Sequence, residues 1–148
     1  RHEYFFAESG AGAFVNDRRL RVSGRRHMAD SLFATGIPFL GHGDSAGHAK
    51  FRRELQKIMA VSAGVRRFGS AALDLAYVAA GRYDGFWERG LNSWDIAAGI
   101  LLVREAGGFV SDFASRDRAL DSGDVVAANP SIHADLLKCL NSATTDDA

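Results

Sequence analysis

The stretch Ile96 to Val103 reads I-A-A-G-I-L-L-V and contains no polar side chain. A helix without a polar face must be covered on several sides, so the pattern predicts an inner helix with structure packed around it. Its ends are marked in the sequence. Asn92 or Ser93 stands where an N-cap belongs, Gly107 and Gly108 supply a left-handed stop, and Phe109 to Asp112 then reads as a short strand. One acid, Asp95, lies in the first turn of this helix. Two uses are open to it there. Its carboxylate can complement the helix dipole and reach back to the N-cap amide, or it can offer oxygen to a hard cation.

The rest of the chain alternates short strands with helices. "EYFFAESGAGAFVND" predicts a hairpin with strands near Tyr4 to Ala7 and Gly12 to Val15, and a further turn at Asn16 and Asp17. "SLFATGI", residues 31 to 37, predicts a buried strand followed by a loop from Pro38 to Gly43. From Ser45 to Ala63, Phe51, Leu55, Ile58 and Met59 recur at helical spacing among charges, which predicts an amphipathic surface helix. A strand at 65 to 68, a helix at 69 to 81 capped by Ser70 and stopped by Gly81, and a strand at 83 to 88 lead into the inner helix. A strand at 124 to 130 and a helix at 131 to 140 close the pattern. Such alternation is the mark of an α/β layered sheet with flanking helices.

Composition narrows the functional classes. With 148 residues the chain can bury one core, and its 18 basic and 18 acidic residues balance, leaving no global field to gather nucleic acid or an anionic membrane. Arginines pair at 18–19, 25–26, 52–53 and 66–67, and each pair reads as a solvated face. The apolar run at 96 to 103 falls far short of the ~20 residues that span a bilayer. A single Cys139, lying in an amphipathic helix, permits no internal disulfide and suits packing in a reducing cytosol, so a cytoplasmic protein is expected.

Chemistry in alternating sheets gathers where strands end and helices begin, because helix N-termini there present free N–H donors. Two such junctions stand out. At Phe68-Gly69-Ser70-Ala71, a residue without a side chain opens the start of a helix to a ligand, or the segment is an ordinary capped turn. At Glu88 to Asp95, two acids bracket one loop. Glu88 suits accepting hydrogen bonds from hydroxyls, and Asp95 suits a hard cation. A competing set, His42, Asp44 and His48 in "HGDSAGH", has zinc-type donors but lacks a neighbouring Cys or third His, and capping of the long helix by Asp44 or Ser45 explains it more simply.

The segment "GSAALDLAYVAAGRYDGFWERGLNSWDIAAGILLVREAGGFVSD" resembles the C-terminal half of the inositol monophosphatase family, most of all its bacterial SuhB-type members. The W-D-x-A-A-G core, Trp94 to Gly99, and E-A-G-G, Glu105 to Gly108, carry the likeness. "GAGAFVNDRRLRVS" and "VVAANP" extend it over nearly the whole chain. The resemblance implies a magnesium-dependent phosphomonoesterase of the sugar-phosphatase fold that hydrolyses inositol monophosphate. It assigns Asp95 as a Mg2+ ligand, Glu88 as a partner of substrate hydroxyls, and Gly69, Ser70 and Ala71 to the ring's outer wall. It also implies a homodimer without membrane association. Related enzymes of the fold act on other sugar or nucleotide phosphates, and SuhB-type members also serve as partners in transcription and ribosomal RNA maturation.

The family's other metal-binding acids belong to an upstream glutamate and a D-P-x-D-G-T segment that these residues do not contain. No water-activating catalytic residue is therefore expected in this chain. It begins at Arg1 and enters strand sequence at once, which suits a C-terminal subdomain at 1–141 with a polar tail at 142–148, an N-terminal subdomain missing, and no activity in isolation.

Overall fold

The computed structural model describes residues 2–39 and 41–143. Two sheets and two helix pairs stack in layers. The outer sheet is antiparallel, with β1 (Phe5–Glu8), β2 (Gly12–Val15) and the two-residue β3 (Arg18–Arg19) side by side. The expected hairpin forms in the register Phe5 opposite Val15 and Glu8 opposite Gly12, and the turn expected at Asn16 and Asp17 leads into β3, a strand too short to leave a periodic signature.

The inner sheet has the order β5-β4-β6-β8-β7, formed by β4 (Leu32–Thr35), β5 (Gly64–Arg66), β6 (Gly85–Glu88), β7 (Phe109–Ser111) and β8 (Val125–Ala128). Its β5, β4 and β6 strands are parallel, while β8 and β7 continue it antiparallel. The period of two sorts its side chains into separate cores. Ala34, Phe86, Val125 and Ala127 face α2 (Ala71–Ala79) and α3 (Ser93–Glu105). Phe33, Trp87, Val126 and Ala128 face the opposite way, where Ile58 of α1 (Ser45–Val61) and Leu136 and Leu140 of α5 (His133–Ser142) cover them. With both faces covered, β8 can be the continuous apolar run V-V-A-A.

The inner helix is α3, lodged between the outer sheet and α2. Its expected all-round burial is corrected in part: Ile96, Gly99, Ile100, Leu102 and Val103 are buried, whereas Ala97 and Ala98 are exposed. Small side chains on that side of the run need no cover, so the buried stripe is narrower than the apolar pattern. Gly99 permits the closest approach, since a Cβ there would lie 2.6 Å from Leu75 Cβ on α2. At the far end of α3, Glu105 accepts hydrogen bonds from Gly10 N–H at 2.9 Å and Gly12 N–H at 3.0 Å, fastening the hairpin turn to the helix. The E-A-G-G glutamate thus has a structural task.

Smaller departures have local causes. Met59, expected on the buried stripe of α1, is 63% exposed, because Phe51, Leu55 and Ile58 already fill the contact with α5 and the sheet. A 3-10 turn at Met28–Asp30 and the short α4 (Ala119–Ser122) leave too few residues for a periodic pattern. The helix α5 runs to Ser142, and the rest of the expected tail, from 144 on, lies outside the described residues. Among the described residues no helix is long and apolar enough to cross a membrane.

Candidate active site

Parallel strands place the loops that follow them at one edge of the sheet. The C-terminal ends of β4, β5 and β6 therefore bring together three segments distant in sequence: the loop after Thr35, the turn into α2, and the loop into α3. They enclose a cavity of about 620 Å3 lined by Gly69, Ser70 and Ala71, by Glu88 and Asp95, and by Gly36 to Phe39. Gly69, Ser70 and Ala71 from one junction and Glu88 and Asp95 from the other thus line one space.

The turn into α2 is built by Gly69, which adopts φ +83°, and by Ser70, whose Oγ accepts from Leu73 N–H at 3.4 Å. Glu88 ends β6, and the loop beyond it is tied down on all sides. Arg89 pairs with Glu54 of α1 at 2.5 Å and lies 3.2 Å from the Phe113 ring centroid; Gly90 N–H donates to Asp124 at 3.1 Å, and Leu91 N–H to the Gly123 carbonyl at 2.9 Å. Asn92 is the N-cap of α3 without a side-chain cap bond, and Asp95 occupies the third helical position. Its backbone N–H donates to the Asn92 carbonyl at 3.0 Å, yet no hydrogen bond among the described residues uses its carboxylate. The capping use of Asp95 is therefore not realised, and its oxygens face the cavity free.

Glu88 is likewise without a hydrogen-bond donor among the described residues. Burial raises its pKa to about 7, helped by the charges of Asp74 and Asp95 and opposed by Arg67. Asp74 of α2 is wholly buried with both carboxylate oxygens unpartnered, and burial pushes it up to about 6 against the pull of Arg67. Arg67 lines the cavity with its guanidinium 4.6 Å from the Phe39 ring centroid. These groups give a pocket with acid on its inner side, a cation at its rim and a helix N-terminus between them.

Three contributors escaped the sequence reading. Glu54 passed for a surface charge on α1, although its spacing from Phe51 and Ile58 puts it on the apolar stripe, and that was the available signal. Arg89 has no local sign of its long-range partner. Asp74 is an acid in an otherwise apolar helical run, the same kind of signal that marked Asp95. The competing zinc set is used otherwise: Asp44 accepts from Gly47 N–H at 2.7 Å as the cap of α1, and His48 Nε2 donates to the His42 carbonyl at 2.6 Å. Among the described residues no group of three or more metal-type side chains converges.

The model of the inositol monophosphatase family matches residues 1–145. The chain belongs to the inositol monophosphatase family. Among its relatives, inositol-1-monophosphatase of Mesorhizobium japonicum is 58% identical over 138 residues, which cover 93% of this chain and 51% of that protein. The Nus factor SuhB of Pseudomonas aeruginosa is 51% identical over 130 residues, covering 87% of this chain and 47% of that protein. The crystal structure of the extragenic suppressor protein suhB from Bartonella henselae superposes with a TM-score of 0.89 at 50% identity, over 99% of this chain and 54% of that one. This inositol monophosphatase family chain thus shares the α/β fold of solved family members and spans about half the length of the curated relatives it matches.

Proposed function

We propose that the chain supplies the substrate-holding side of a magnesium-dependent phosphomonoesterase that releases phosphate from inositol monophosphate. The observation carrying this reading is the convergence, in one cavity, of two carboxylates that no hydrogen bond among the described residues uses and of the turn that begins α2. In this role Glu88 binds ring hydroxyls, accepting their hydrogen bonds when ionised and donating one when protonated, and Gly69, Ser70 and Ala71 form the wall against which the ring rests. Asp95 would hold one edge of a Mg2+ site, its aim fixed by the rigid start of α3. Bound magnesium supplies Lewis-acid chemistry that activates water and offsets charge on phosphate and the leaving alkoxide. Its shell takes about six oxygen ligands, whereas Asp95 offers at most two. The donor set fits one corner of such a site and not a whole one, so the remaining acids and the water-activating groups would come from elsewhere in a complete, cytoplasmic and dimeric protein.

The test is phosphate release from inositol 1-phosphate by the complete protein and by the 148-residue chain. The expected result is turnover by the complete protein, its abolition by Asp95→Asn, and none by the chain alone. Turnover by the isolated chain, or a fully active Asp95→Asn protein, contradicts the reading. A second reading, partnership with transcription machinery, is favoured by the relatives called Nus factor SuhB. Growth rescue by the Asp95→Asn protein would support that role over catalysis.

A further inference from the structure

Glu88 closes β6 beside β4, which runs parallel to it with Thr35 opposite Trp87. Thr35 Oγ1 donates to the Trp87 carbonyl at 2.7 Å and locks the two strand ends together. One residue further on, buried Gly36 stands next to Glu88. A Cβ on Gly36 would lie 1.8 Å from Glu88 Oε1, 2.0 Å from its Cδ and 2.4 Å from Oε2. The carboxyl group thus fills the volume that any side chain at position 36 would need. Backbone conformation does not explain the glycine, because Gly36 is not among the residues with positive φ. The close approach of Glu88 does.

We propose that Gly36 is a positioning residue whose bare Cα seats the Glu88 carboxylate on the cavity wall. The effect on catalysis rests on the role given to Glu88 above; the seat itself does not. The obstructed atoms are the far end of a flexible side chain, so a methyl group at position 36 displaces the carboxylate and leaves the strand pair intact. Gly36→Ala therefore acts as a conformational knock-out of Glu88, although the acid is still present.

Two measurements test the seat. In the 148-residue chain, carboxyl-carbon NMR follows the Glu88 titration alongside thermal melting. The expected result for Gly36→Ala is a melt unchanged at pH 4.5, where the Glu88 carboxyl carries no ionisation penalty, and a midpoint that falls from about 7 toward the ~4.3 of a free glutamate. In the complete protein, Gly36→Ala should raise KM for inositol 1-phosphate by roughly tenfold, the size of one lost hydrogen bond to a charged group, with kcat nearly unchanged. The double variant Gly36→Ala/Glu88→Gln should be no worse than Glu88→Gln alone, since both changes remove one interaction. Glu88→Asp, one methylene shorter, should recover part of the loss in Gly36→Ala. Where Gly36→Ala lowers the melt, adding Glu88→Asp must restore it. A Glu88 midpoint unmoved by Gly36→Ala, multiplying KM effects, or a lowered melt that Glu88→Asp does not restore overturns the proposal. A protein without phosphatase activity would count against the function, while the titration of the chain would still decide the seat.

Discussion

The two ends of β6 carry acids in opposite circumstances. Asp84, just before the strand, is fully buried and surrounded by donors: Leu32 N–H at 2.7 Å, Arg25 Nη1 at 3.3 Å and the Ser23 hydroxyl. Asn129 extends this cluster, donating to Ser23 Oγ at 2.9 Å while its own Oδ1 accepts from Ser131 and Ile132 N–H groups at the start of the closing helical segment. Among the described residues no hydrogen bond reaches the carboxylate of Glu88 at the strand's other end, of Asp95 across the loop or of Asp74 beneath. A buried acid with a full set of donors builds structure. A buried or half-buried acid left without them costs stability and is kept where a ligand completes it.

The largest test of this contrast is at Asp84. Asp84→Ala strips three donors of their acceptor and should cost about 2 to 4 kcal/mol in urea unfolding. A loss below ~0.5 kcal/mol would mean that the cluster is dispensable. Asp74 comes next and has the opposite sign. Its folded pKa, about 6, lies above its ordinary 3.8, so the penalty for ionising it is absent below about pH 4 and complete above about pH 6. At neutral pH that penalty is on the order of 3 kcal/mol. Asp74→Asn should flatten the fall in stability between those limits, as followed by urea unfolding at a series of pH values; an unaltered slope would assign the penalty elsewhere. The smallest effect belongs to Asp95, whose carboxylate touches only the cavity. Asp95→Asn should shift stability by less than about 1 kcal/mol, the residual dipole contribution, and a larger loss would restore it to the role of cap.

The contrast was half legible in the sequence. Elements with strong local signals were, among them the hairpin, the capping of α1 by Asp44 and of α2 by Ser70, the stop at Gly81 and the limits of α3. The junctions that bear Gly69, Glu88 and Asp95 were legible for the same reason, since strand ends and helix starts are local features. Their meeting in one cavity depends on the parallel pairing of β4 with β5 and β6, a long-range fact. Gly36 shows the limit plainly: it follows a strand as many glycines do, and only the arrival of Glu88 from 52 residues later gives it a task. The satisfaction of Asp84 also depends on remote partners, Ser23 and Arg25, which nothing near Asp84 announces.

The most direct measurement is the stability of Glu88→Gln against wild type at pH 8 and at pH 4.5. Glu88 has its folded pKa raised to about 7, so its ionisation weighs against the fold above that pH and not below the ordinary glutamate value. An acid held for a ligand predicts that Glu88→Gln is more stable than wild type at pH 8 and that the gain disappears by pH 4.5. A Glu88→Gln chain that is less stable at pH 8, as Asp84→Ala is expected to be, would make Glu88 a structural acid and contradict the account.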